Sequence, residues 1–131
     1  MMDRPQQERW LVVLVALHSL AVGVVLLGAP RWAAALGGWG EVDTVFFIRQ
    51  GGIFHVVVAT GYLMEYFRHG TVRLLLAAKG MATVFLLLSW LGDSTSAWAI
   101  PFAALGDGMM GLAVWWISRR SGHTSRRDPR S

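Results

Sequence analysis

The chain has no cysteine, which excludes a disulfide framework, a thiolate metal site and thiol catalysis. Charge is scarce as well: Asp, Glu, Lys and Arg make up 15% of the 131 residues, against roughly 25% in soluble domains. No phosphate-cradling loop and no nucleophile motif occurs, and no histidine–carboxylate set has ligand spacing on one helix, so no metal site is expected. Apolar residues are abundant instead, at 54% of the chain with a mean hydropathy of +0.46. A soluble fold of this composition would lack the polar surface to cover its core, so lipid is expected as the solvent around most of it. The net charge of +4 and the pI of about 10.7 do not point to nucleic acid. The arginines sit between apolar runs and in the tail, not along one helical face.

Four apolar runs stand out, over residues 11–28, 46–66, 72–91 and 97–117. Each approaches the roughly 20 residues that a helix needs to cross a hydrocarbon core about 30 Å thick. The expected fold is therefore all-α, an antiparallel up-down four-helix transmembrane bundle within residues 1–118, followed over 119–131 by a disordered basic cytoplasmic tail. The second run is the least apolar, with Arg49 and Gln50 in its first turns. The first is longer than the 7–15 residues usual for a secretory signal core, and Pro30 and Trp32 after it fit a helix stop at the interface, so it is expected to be retained.

Arginine placement sets the expected orientation. With the amino terminus inside, Arg4, Arg9, Arg68, Arg73, Arg119, Arg120, Arg126, Arg127 and Arg130 are cytoplasmic. Arg31 and Arg49 alone fall outside. Both termini are then cytoplasmic. The aromatic residues agree with these levels: Trp10, Tyr62, Tyr66, Trp115 and Trp116 fall at inner ends, and Trp32, Trp39, Trp90 and Trp98 at outer ends. The long first connection, PRWAAALGGWGEVD, reads as a short segment on the outer interface ended by Gly37 and Gly38.

Each run carries one ionisable residue deep in its length: His18, His55, Lys79 and Asp107. Ionisable groups in a span face the bundle interior and pair, because lipid cannot solvate them. Residues equidistant from a hairpin turn lie at one depth, and by that rule all four fall within about one helical turn of a common level. They form the expected buried polar layer, a candidate ligand or proton site. The expected inward faces recur at helical spacing and are rich in small residues: Gly51, Gly52, Ala59 and Tyr62 with His55, Ala78 and Ala82 beside Lys79, and Ala103, Gly111, Val114 and the Ala104/Gly108 pair around Asp107. The same arithmetic pairs Arg49 with Asp93 at the outer end. It also brings Glu65 near Arg73 or the Arg119/Arg120 pair at the inner end, both as structural ion pairs.

The stretch FFIRQGGIFHVVVATGYLMEYFR over 46–68, followed by the AAKG and LGDG segments, resembles the DoxX-like group of small four-helix bacterial membrane proteins. Named members of that group are associated with quinone-linked sulfur oxidation in the membrane, so the resemblance implies a bacterial inner membrane and a quinone within reach. The residues themselves leave several functions open. One is a non-enzymatic bundle that binds a lipophilic small molecule or serves as accessory subunit to a membrane-protein partner or a second copy. Another is a quinone- or sterol-linked enzyme, with His55 and Asp107 exchanging a proton and Lys79 setting the charge of Asp107. Others are haem b held by His18 and His55, or a proton path through the layer. Against all of these stands a purely structural layer, a Lys79–Asp107 pair and a His18–His55 hydrogen bond that hold the bundle together.

Overall fold

The computed structural model describes residues 4–92 and 97–122, and every element among them is helical. The order is α1 (Arg4–Gly28), α2 (Pro30–Leu36), α3 (Phe46–His69), α4 (Arg73–Gly92) and α5 (Ala99–Gly122). Three of these, α1, α4 and α5, are long and apolar enough to cross a membrane. That is one fewer than the sequence suggested. At 24 residues α3 has the length, but it is not among the three, and Arg49, Gln50 and His55 interrupt its apolar run.

Two helix boundaries also lie beyond the expected ones. α1 begins at Arg4, well before the apolar run, and α5 continues through Arg119 and Arg120 to Gly122. The extension of α5 has a local cause. Arg119 lies over the ring of Trp115 and Arg120 over that of Trp116, 4.4 and 3.4 Å from the ring centroids, pairs set four residues apart on one helix. Cations in the last turn also complement the helix dipole. The expected tail therefore starts later than 119, and the rest of it lies outside the described residues.

α1 and α3 pack along their whole length in opposite directions. At one end Arg9 lies over Phe67, and at the other Gly52 meets Leu26 and Leu27. Near that second end the backbones touch. A Cβ on Gly23 would stand 2.8 Å from the carbonyl oxygen of Gly52, and one on Gly52 would stand 2.9 Å from that of Gly23. Glycine at both positions is what permits this approach. α4 and α5 form a second antiparallel pair, and contacts of α1 with α5 and of α3 with α4 join the two pairs.

Different devices fix the two ends of the bundle. After α3, Gly70 adopts a left-handed φ of +61° and its N–H caps the carbonyl of Tyr66. Glu65 then reaches across the turn. Its carboxylate accepts hydrogen bonds from the Thr71 hydroxyl and from the N–H groups of Arg73 and Leu74, so it caps the start of α4. At the other end, Gly38 (φ +90°) sits against Ala97 and Trp98, and the Ala99 N–H donates to the Gly37 carbonyl. The α2 segment is thereby tied to the head of α5.

The buried apolar residues cluster towards the α3–α4 turn. Val12, Val15 and Ala16 of α1, Tyr62 of α3, Val72 and Leu75 around the head of α4 and Val114 of α5 form one core. Outside it, α4 and α5 expose large apolar side chains along their length, among them Met81, Phe85, Leu88, Leu91, Phe102, Leu105 and Leu112. So much contiguous apolar surface is foreign to a monomer in water.

Candidate functional site

The charged heart of the molecule is the contact between α4 and α5. Lys79 Nζ donates to Asp107 Oδ1 at 2.5 Å, and Lys79 is only 5% exposed. Small residues on α5 make room for it. Gly111 lies against the Lys79 Cβ position, and Gly108 faces Thr83, whose hydroxyl donates to the Lys79 carbonyl at 2.8 Å. The pair is buried unequally: the Asp107 side chain keeps 16% of its surface open, against 6% for that of Lys79. A further group could therefore reach the carboxylate without displacing the ammonium.

The histidines stand around this pair rather than within it. His55 is half-buried, and its Nδ1 donates to the Gly51 carbonyl one turn earlier, at 2.9 Å. With Nδ1 protonated in that bond, Nε2 is left as an acceptor. His18 feels the charges of Lys79, Asp107 and His55, so the four residues do occupy one neighbourhood. Its side chain is nonetheless exposed. This corrects the expectation of a fully buried layer: Lys79 is buried, Asp107 and His55 are half-buried, and His18 lies on the surface. Hairpin arithmetic fixes depth along the helices but says nothing of the direction in which a side chain points.

The expected His18–His55 hydrogen bond is replaced by the bond of His55 to its own helix. A haem held between these two histidines does not fit either. At this level α1 and α3 are in backbone contact, with the Gly23 Cβ position only 3.2 Å from the His55 Cβ. No slot for a macrocycle opens between them. Among the described residues no group of three or more histidines and carboxylates is placed to hold a metal ion.

Two residues belong here that the sequence reading put elsewhere or passed over. Tyr62, assigned to the aromatic belt as well as to the inward face of α3, is 2% exposed and lies in the field of Asp107. Ser19 is 1% exposed, beside His18 but on the inner face of α1. A signal for it was available. Val12, Ala16, Ser19 and Gly23 recur at helical spacing, and all four are buried.

The outer pairs come out differently. Glu65 does lie beside Arg73, one of its expected neighbours, but its carboxylate takes the backbone N–H groups of Arg73 and Leu74 in place of the guanidinium, because the start of a helix offers donors with no intrahelical acceptor. Arg49 is exposed, and Asp93, its expected partner, lies outside the described residues.

Among known protein families, characterised proteins and solved structures, nothing matches this chain.

Proposed function

We propose that the chain is a multi-pass integral membrane protein of four spans, with both termini cytoplasmic, that binds a lipophilic small molecule against the Lys79–Asp107 layer. α3 is the span that composition leaves in doubt. Its packing supports it: α3 runs beside α1 from the Arg9–Phe67 contact to the Gly23–Gly52 contact. Along α1 those two contacts lie 14 residues apart, about 21 Å. A helix in contact with a spanning helix over that length shares its environment. Four spans put both termini on one side, and the arginine distribution makes that side the cytoplasm.

The observation that carries the ligand reading is the unequal burial of the ion pair. Lys79 is closed off behind the contact while Asp107 keeps an open flank, and Tyr62 and His18 both lie within the field of Asp107, so a group arriving there meets several polar side chains. Apolar surroundings with a few convergent polar groups are what small-molecule sites offer. The exposed apolar face of α4 and α5 also suits an accessory subunit, whose partner would cover it. The DoxX-like resemblance, with its bacterial inner membrane and its quinones, suggests the chemical class of the ligand.

A quinone- or sterol-linked enzyme is the second reading, favoured by the acceptor nitrogen left free on His55. In it His55 takes or returns a proton, and Asp107, paired with Lys79, orients the ligand.

The test is native mass spectrometry with an absorption spectrum on gently purified protein, wild type beside Asp107→Asn. A quinone or other lipophilic molecule bound to the wild type and lost from a folded variant is the expected result. An empty wild type together with a variant that aggregates would make the layer structural and overturn the ligand reading.

A further inference from the structure

A pocket of about 590 Å³ opens on the surface where the loop before α3 meets its first turns, far from the Lys79–Asp107 pair. Asp43 and Thr44 of the loop, Val45 and Phe46 at the helix start, and Arg49 and Ile53 one and two turns along line it. From the opposite charges of Arg49 and Asp43 on an otherwise mostly apolar lining, and from their height in the bilayer, we infer that this pocket holds the headgroup of an outer-leaflet aminophospholipid, its phosphate on Arg49 and its ammonium on Asp43. The inference rests on α3 being a span with its amino end outward.

Height comes first. Arg49 precedes His55 by six residues, which sets its Cα about 9 Å outward of the polar layer. That is still inside a hydrocarbon core of about 15 Å half-thickness. A guanidinium rooted there must reach outward to an anion, and the long arginine stem allows it. Among the described residues Arg49 forms no ion pair; the pair of Lys79 with Asp107 is the one that forms. The phosphates of the outer leaflet, just beyond the hydrocarbon core, are the anions that such an outward-reaching side chain meets, and a guanidinium is the side chain best matched to phosphate.

The helix start adds to this. No side chain caps α3 from its N-cap position, and Thr44 takes up the N–H of Phe46 alone. The N–H groups that follow in the first turn have no intrahelical acceptor and point toward the pocket end of the helix, where an anion is favoured. Asp43 makes the site zwitterionic. A carboxylate on the same pocket as the arginine repels a second anion but accepts hydrogen bonds from a primary ammonium. Phosphoethanolamine presents that pair of charges, whereas phosphoglycerol has no cation and phosphocholine has no N–H. Phe46 and Ile53, both exposed, offer the acyl chains an apolar wall below.

The test offers purified full-length protein in detergent an equimolar mixture of phosphatidylethanolamine, phosphatidylglycerol and phosphatidylcholine, and reads the retained lipid by native mass spectrometry. Phosphatidylethanolamine should be retained about tenfold over the others, the scale of a charge-assisted hydrogen bond gained or lost. Arg49→Gln should lose all three lipids. Asp43→Asn should keep a bound phospholipid but lose the preference. Both residues are exposed, so neither variant removes a packing contact. Equal retention of the three lipids by wild type, or unchanged retention by Arg49→Gln, overturns the inference. So does displacement of the lipid by millimolar free phosphoethanolamine, which would make a soluble headgroup the ligand. The topology it rests on is read separately, by labelling Glu41→Cys with an impermeant maleimide in intact cells, in a chain that has no other cysteine. Labelling from the cytoplasmic side alone would sink the four-span orientation, whatever the lipid result.

Discussion

Gly23 and Gly52 meet backbone to backbone where α1 and α3 cross, and neither has room for a Cβ: the nearest carbonyl oxygen would be 2.8 Å away for one and 2.9 Å for the other. Both neighbours are main chain, which cannot swing aside as a side-chain end could. Gly52→Val should therefore force the helices apart, at a cost of about 1–3 kcal/mol, the usual range for overpacking. Gly80→Val on α4 is the control, since nothing lies within 4 Å of its Cβ position. Thermal unfolding in detergent should show a clear fall for the first and little change for the second. Equal shifts would mean that the α1–α3 contact is not as close as described.

The ion pair leads to a second prediction, in which a pair of substitutions is milder than either alone. Lys79→Met leaves Asp107 without its cation, and Asp107→Leu leaves a buried ammonium without its anion. Each should destabilise by about 3–5 kcal/mol, the range for breaking a buried pair. The double variant removes both charges and both desolvation costs, and should recover most of the loss. A double-mutant cycle by denaturant unfolding in a fixed micelle reads the coupling. If the double loss equals the sum of the single losses, the two side chains do not depend on each other and the contact contributes nothing.

How far the fold could be read in advance differs from helix to helix. The apolar runs located α1, α4 and α5, since a long apolar stretch has few alternatives, but not the seven residues by which α1 precedes its run or the five by which α5 outlasts its own. α3 was read from the same pattern, yet its Arg49, Gln50 and His55 leave it below what a span needs by composition, and only its packing against α1 speaks for it. In the site, depth was legible and direction was not. The level of Lys79 and Asp107 followed from counting residues to the turns, and they touch. His18 lies in the same neighbourhood, although Gly23 and not His18 is level with His55, and it sits one residue off the buried stripe of Ala16, Ser19 and Gly23 and faces outward. Glu65 shows a different limit. Charge suggested an arginine partner, while the unsatisfied N–H groups at the start of α4 are invisible to any count of charges.

Glu65 therefore carries a prediction that separates a cap from a salt bridge. Its carboxylate takes the Leu74 N–H at 2.8 Å, the Arg73 N–H at 3.2 Å and the Thr71 hydroxyl at 2.7 Å. Glu65→Ala should cost about 1 kcal/mol, the typical loss on removing a helix cap. Glu65→Gln keeps an acceptor oxygen on the same stem and should recover part of it, although its charge is gone. Removing the Arg73 side chain with Arg73→Gln leaves the backbone donors in place and should change little. Hydrogen exchange localises the effect: the amides of Arg73 and Leu74 should lose protection in Glu65→Ala and keep it in Arg73→Gln. If Arg73→Gln instead destabilises as much as Glu65→Ala, the carboxylate acts through the guanidinium and the capping account fails.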